Sequence, residues 1–386
     1  MPSRHSNQSA SLAQLAGETA GNARPRPGRP KLAALMVAGM LGGFVGTADA
    51  FVPMQGAPAN QAMTPVALPA LGVAPSTPMP ALAAAKAATA GSAGRWASVS
   101  GLSWRSGSAC LKSGWEGFRN RRNDVYIEFA GRNRFAEVVR LVKSYHVSRY
   151  RSMPGRLSLG LPMLTNDVRA RWQDCISGKF DRHFREIGLA LKNGGLGDAI
   201  IRLGWEANGS GFPWNIKGQV EAYKACFRRE VNVLKSAAPG LQIDWNMKKN
   251  TEGPVGAHML YPGDQYVDII GVNYYDQYPR FVNQATWDKY HNSMYKGGPR
   301  GLGSWIKFAK ARGKKLSLPE WGVWNESRGG DNPFFIQKMH ETFKRNAGVI
   351  AYEGYFNCSK ARHRLYTAGI NPKSSAMYKQ LWSRGG

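Results

Sequence analysis

The sequence predicts an α/β fold, a (β/α)8 TIM barrel, and three observations predict it. From residue 96 onward, eight short apolar runs alternate with amphipathic segments, the pattern of a parallel sheet with helical crossovers. About 290 residues remain once the N-terminal region is set aside, within the usual range for such a barrel. Two of the runs deliver a glutamate beside a tryptophan, and in a parallel barrel the C-terminal strand ends form the active face.

The elements follow in chain order. Residues 1–31 are polar and end in a basic cluster of Arg24, Arg26, Arg29 and Lys31. Residues 32–47 are apolar and uncharged, and Ala48-Asp49-Ala50 supplies a small-residue cleavage pattern. Residues 1–50 are therefore expected to be a signal peptide, with secretion or periplasmic release as the outcome. The alternative is an uncleaved membrane anchor, but the run is short and Gly-rich for a span of ~20 residues. Residues 51–94 are Ala/Pro-rich without helical or strand period and read as a linker. The folded domain is expected over residues 95–386.

Its strands are expected over residues 99–104, 124–130, 156–164, 199–205, 241–246, 267–274, 315–319 and 349–356. Helical faces lie between them. Phe135, Val138, Val139, Leu141 and Val142 line one, Phe184, Ile187 and Leu191 another, and Phe227, Val231 and Leu234 a third. Trp305, Phe308 and Ala309 open a later helix, Phe335, Met339 and Phe343 mark the next, and Tyr378 and Trp382 end the series. A doubly wound open sheet is the competing architecture. It usually carries a Gly-rich phosphate loop after its first strand, and Gly101-Leu102-Ser103-Trp104 is not one.

Charge narrows the partners. The net charge is +27, and the first 50 residues hold only five basic and two acidic side chains, so the excess belongs to the rest of the chain. Such a balance attracts an acidic polysaccharide, a membrane surface or nucleic acid, or simply solvates the surface. No helix-turn-helix, zinc-finger or RNA-binding signature is present, so nucleic acid is not expected. Lys248 and Lys249 after the fifth strand, with Arg132 and Arg134 after the second, are expected on the active rim. The four cysteines, Cys110, Cys175, Cys226 and Cys358, permit two disulfides in three pairings, or free buried thiols. Histidines are scattered without ligand spacing, so no metal is expected.

Chemistry concentrates at two strand ends. Arg202-Leu203-Gly204-Trp205-Glu206-Ala207-Asn208-Gly209 places Glu206 just after the fourth strand, and Pro319-Glu320-Trp321-Gly322 places Glu320 just after the seventh. Two carboxylates on one rim, flanked by aromatic rings, suit glycoside hydrolysis, although either alone also fits a strand-end ion pair. Arg202 lies four residues before Glu206 and faces the same side by strand alternation. A barrel-interior arginine needs a carboxylate, and Glu320 is its expected partner. Tyr274 or Tyr275 is placed to donate a second hydrogen bond to Glu320 and keep it ionised. Glu206, packed beside Trp205, is expected to keep a raised pKa, as a general acid must. Trp214, Trp321 and Trp324 are candidate sugar-stacking rings, each equally at home in a core.

These residues resemble a known family. Arg202 to Gly209 followed by Phe212-Pro213-Trp214 resembles the acid/base strand of glycoside hydrolase family 26. The stretch from Tyr261 to Tyr275 is similar to that family's sixth-strand signature, and Pro319-Glu320-Trp321-Gly322 to its nucleophile strand. The resemblance implies a retaining mechanism without cofactor, Glu206 as acid/base and Glu320 as nucleophile. Trp205, Asn208, Trp214, Tyr274, Tyr275, Trp321, Trp324 and Arg202 are the residues expected around the substrate. Family members typically cleave β-1,4-mannan. The family usually has His before its acid/base glutamate, where this chain has Trp205. With the basic charge, that opens a bacterial or acidic exopolysaccharide as substrate beside β-mannan. The competing functions are a catalytically idle polysaccharide-binding barrel and a transglycosylase on the same site.

Overall fold

The computed structural model describes residues 98–110, 114–325, 330–358, 362–366 and 369–384. The expected signal peptide over 1–50 and linker over 51–94 lie outside the described residues. The barrel strands are β1 (Ser106–Ala109), β2 (Val125–Phe129), β3 (Arg156–Leu161), β4 (Ile200–Leu203), β5 (Gln242–Lys248), β6 (Ile269–Tyr275), β7 (Lys315–Gly322) and β8 (Ile350–Phe356). They close in the order 1-8-7-6-5-4-3-2, and every neighbouring pair is parallel. β3 and β8 are buried along their whole length, since such strands face the barrel interior on one side and helices on the other.

The expected helical faces are the buried ones. Phe135, Val138 and Val139, then Phe184, Ile187 and Leu191, then Phe227, Val231 and Leu234 all pack inward. A short hairpin, Met294–Tyr295 with Gly298–Pro299, is inserted before the helix Leu302–Ala311 and was not legible as a repeat of the barrel unit. Among the described residues, no helix is long and apolar enough to cross a membrane.

The first strand departs from expectation. Residues 99–104 do not form it; the small residues Ser106, Gly107, Ser108 and Ala109 do. Asp124 is the reason. Its carboxylate accepts the backbone N–H of Val99 at 2.6 Å, Ser100 at 3.0 Å and Ser106 at 2.9 Å, and the Ser100 hydroxyl at 2.6 Å. The Val99 and Ser100 donors spent on this side chain are not free for a ladder, and Ser106, held by the same carboxylate, opens β1.

Two disulfides staple the frame, so the free-thiol alternative falls. Cys110 after β1 joins Cys358 after β8, across the closing seam of the barrel. Cys175 joins Cys226, tying the helix Trp172–Ile176 to the helix Val220–Ala237.

A third tie is a buried carboxylate. Glu353 on β8 accepts the indole N–H groups of Trp321 at 2.5 Å, Trp382 at 3.1 Å and Trp104 at 3.3 Å. It thereby joins β7, the last helix and the segment before β1. Replacing it by Ala leaves three buried donors unpaired, each costing about 1–3 kcal/mol. Glu353→Ala is expected to lower the unfolding free energy by about 3 kcal/mol or more. Denaturant titration checks this, and a midpoint equal to wild type would overturn it.

Candidate active site

Strand ends deliver both glutamates to one place. Glu206 lies three residues past β4 with a left-handed backbone, φ 54°. A non-glycine residue holds this conformation only where its surroundings over-determine it. Here its N–H donates to the Asn246 carbonyl at 2.8 Å, and its own carbonyl accepts from the Gly209 N–H at 2.8 Å. Glu320 lies within β7 rather than after it, because pairing with β6 and β8 continues through Trp321.

Arg202 anchors the floor. It is wholly buried, and its Nη1 donates to Glu320 Oε1 at 2.9 Å and to Asn246 Oδ1 at 3.4 Å. Nη2 donates to the Glu128 carbonyl at 3.0 Å, and the guanidinium lies 4.7 Å from the Phe129 ring centre. Gly160, its register partner on β3, makes this possible. A Cβ there would meet Arg202 Nη2 at 3.3 Å and the Trp205 ring at 3.2 Å.

A polar chain runs up from the floor. Asn246 Nδ2 donates to Asn273 Oδ1 at 3.0 Å, and Asn273 Nδ2 donates to Glu206 Oε1 at 3.0 Å. Asn273 also lies near Glu320 and favours its charged form. Tyr275 completes the set, its hydroxyl donating to Glu320 Oε2 at 3.3 Å. Asn273 thus bonds Glu206, while Arg202 and Tyr275 bond Glu320.

The two carboxyl groups titrate differently for that reason. Burial, and then the neighbouring Glu320 charge, pushes Glu206 up to about 7, against Lys248 and the Asn273 bond. Burial pushes Glu320 up as well, but the Arg202 charge and the donors of Asn273, Arg202 and Tyr275 pull against it. Arg202 and Tyr275 thus favour the ionised form at Glu320, and burial favours the protonated form at Glu206.

The structure brings together Arg202, Glu206, Tyr275 and Glu320 from the expected residues. Trp324 joins them at the edge, its ring 5.7 Å from that of Tyr275. Several expected sugar contacts are corrected. Tyr274 is fully buried and stacks on Phe281 and Phe335, because alternation turns it away from Tyr275. Trp214 is fully buried, its indole donating to the Trp205 carbonyl at 2.9 Å. Trp321 is fully buried against Glu353. Asn208 is buried and occupied with Lys248 and Thr251, tying the loop after β4 to the end of β5. Trp205 is nearly buried among Phe129, Phe212 and Trp214, behind the carboxylate it precedes.

One rim charge is corrected: Lys249 is buried, whereas Lys248 stays beside Glu206, ion-paired with Glu252. Sequence patterning did not single out Asn246, Asn273 or His363. Alternation along β5 and β6 puts Asn246 in line with Lys248 and Asn273 in line with Tyr275, so that signal was available for both asparagines. His363, buried against Tyr275, Trp324 and Phe356, left no such signal. Among the described residues, Cys175, Cys226 and Glu230 form the one cluster of metal-type side chains, and its two sulfurs are spent in a disulfide.

Residues 190–314 match the model of glycosyl hydrolase family 26. That span includes Arg202, Glu206, Asn273 and Tyr275 and stops short of Glu320. No curated protein matches the chain. Among solved structures, the chain is similar to a modular endo-β-1,4-mannanase from Cellulomonas fimi, with TM-score 0.55 and 16% identity over 73% of this chain and 71% of that one. It is similar to GH26C from Muricauda sp. MAR_2010_75, with TM-score 0.54 and 16% identity over 74% and 87%. It is also similar to the β-mannanase BoMan26A from Bacteroides ovatus, with TM-score 0.50 and 16% identity over 72% and 89%. At these identities the likeness carries the fold, and the family model carries the kinship of the central strands. The chain is a (β/α)8 barrel whose residues 190–314 are similar to glycosyl hydrolase family 26.

Proposed function

We propose that the chain is a retaining endo-β-glycosidase of polysaccharide backbones, with Glu206 as acid/base and Glu320 as nucleophile. One observation carries this reading: two buried carboxyl groups meet at the strand ends, Glu206 bonded by Asn273 and Glu320 by Arg202 and Tyr275. The match to the family model supports the retaining course, in which the carboxyl groups stand about 5–5.5 Å apart, against about 6.5–9.5 Å in inverting enzymes.

The mechanism follows from the two environments. Glu320, ionised against Arg202 and Tyr275, attacks the anomeric carbon and forms a glycosyl ester. Glu206, protonated near neutral pH, gives its proton to the departing oxygen. Left ionised, it then takes a proton from the water that hydrolyses the ester, which restores both groups. The match to the family model supports glycoside hydrolysis as the reaction class.

For the substrate, the mannanase neighbours support a β-mannan-type backbone. The net charge of +27 supports an anionic one, such as an acidic exopolysaccharide. The two disulfides fit an oxidising compartment, in line with a secreted or periplasmic protein.

The test is release of reducing ends from a panel of neutral and acidic polysaccharides, with the anomer of the first product read by NMR. A β-product is expected from a β-linked polymer. An α-product would overturn the retaining reading, and a panel left intact would overturn the hydrolase. Binding to the cleaved polymer by a Glu320→Ala variant then separates the substrates. Charge attraction reaches about 10 Å at 0.1 M salt and about 3 Å at 1 M. Affinity for an acidic polymer is expected to fall steeply over that range. Tight, salt-insensitive binding to mannan alone would remove the anionic substrate.

A further inference from the structure

Lys249 is a charged side chain placed where a hydrophobic one would pack. It follows β5 directly and is only 4% exposed. Its backbone N–H donates to the Asn273 carbonyl at 3.1 Å. Its Nζ donates to two backbone carbonyls at the end of β6, those of Tyr275 at 2.8 Å and Gln277 at 2.6 Å. The same Nζ lies 4.7 Å from the Tyr274 ring centre and 4.9 Å from that of Phe281. Taking an ammonium group out of water is costly unless it is well paired.

The charges around it do not form a simple ion pair. Asp276 is near, but its carboxylate is bonded to the Phe281 N–H at 2.6 Å and to Asn332 Nδ2 at 2.6 Å. Arg280 faces Asp276, and Arg300 approaches from the loop before the helix Leu302–Ala311, its Nη2 donating to the Tyr278 carbonyl at 2.9 Å. Burial pushes the Lys249 pKa down to about 7; Asp276 opposes the shift and Arg300 adds to it. What the ammonium does hold is backbone. It clamps the stretch that carries Tyr275, and the Tyr275 hydroxyl reaches Glu320.

We infer that Lys249 is a positioning residue: its Nζ pins the end of β6 so that the Tyr275 hydroxyl stays on Glu320 through the reaction. It touches neither carboxylate and acts through the Tyr275 backbone. This rests on the reading of Glu320 as nucleophile. The ester-forming step needs Glu320 ionised and aimed, and a loosened β6 end removes one of its donors. Charge-assisted bonds to the two carbonyls are about twice as strong as neutral ones, which is a reason to bury an amine at this point.

The experiment is a double-mutant cycle on kcat with Lys249→Met, Tyr275→Phe and the pair, each checked for wild-type-like circular dichroism. Either single change is expected to lower kcat by about 10–100-fold with KM within about twofold, because the loss falls on the transition state. The double variant is expected to be no more than about threefold worse than the worse single one, since both remove the same contact. Lys249→Arg, which keeps the charge and the donors, is expected to recover at least about tenfold of the loss. Lys249→Gln keeps two N–H donors and serves if the Met variant does not fold; it is expected to fall between Met and wild type. Multiplying losses in the double variant, or a change confined to KM, would overturn the role while leaving the functional reading in place. A wild type that turns over no glycoside would overturn that reading and this role with it.

Discussion

On the proposed mechanism, Glu320→Ala is expected to lower kcat on the cleaved polysaccharide by about 10^4-fold, because Glu320 is the group proposed to form the ester. Glu320 is the carboxylate that Arg202 and Tyr275 hold, at 2.9 Å and 3.3 Å. The same contacts add a cost in stability. Without Glu320, the wholly buried Arg202 loses its ion-pair partner, and an uncompensated buried charge costs about 3–5 kcal/mol. Asp244, close enough to feel the Arg202 charge, offsets part of this. The Ala variant is therefore expected to fold with a lowered melting temperature. Glu320→Gln keeps an oxygen for Arg202 and is expected to be as inactive but more stable. Steady-state kinetics beside thermal unfolding checks both, and a variant with a tenth of the wild-type rate would remove Glu320 from the role.

Glu206→Ala is expected to split the reaction in two. An aryl glycoside with a good leaving group needs little protonation, so ester formation survives. The second step stalls for want of a base, and azide is expected to restore turnover with a β-glycosyl azide as product. Without rescue, and with a product of inverted configuration from the wild type, the retaining mechanism is lost. Wild-type pH dependence provides the matching check. Glu206 sits at about 7 and acts protonated, so kcat/KM on a poor leaving group is expected to fall as pH rises through about 7. Glu320 acts ionised in the proposed mechanism, so activity is also lost as pH falls through its own value, which burial raises. The resulting profile is a bell. On the activated aryl glycoside the Glu206 limb disappears from kcat/KM.

Much of this site was legible in the chain. Apolar runs near Ile200 and Leu316 had to be buried parallel strands, and strand alternation put Arg202 on the side of Glu206. A buried arginine needs a carboxylate, and Glu320 was the one on the same rim; the 2.9 Å contact is the outcome. Likewise, the 3.6-residue spacing of Phe135, Val138 and Val139 identified a buried helix face. These features depend on local period and on the cost of burying charge, and both can be read along one dimension.

Depth and pairing cannot. Alternation separates Tyr274 from Tyr275 but does not say which side faces Glu320, so only the closed barrel selected Tyr275. Trp214 and Trp321 sit in the right stretches, yet their burial is decided by Phe212, Trp205 and Glu353 packed from elsewhere. Lys249 reads as a solvent-facing cation beside Lys248, until β6 closes over it. Four cysteines allow three pairings, and Cys110 meets Cys358 only because β1 and β8 become neighbours at the closing seam. The sequence by itself determined the strands after the first, the two glutamates and the arginine between them, since periodicity and electrostatics act locally. The tertiary structure decided where the first strand lies, which amide bonds Glu206, which rings reach the surface and which lysine is buried, because each depends on contacts between residues far apart in the chain.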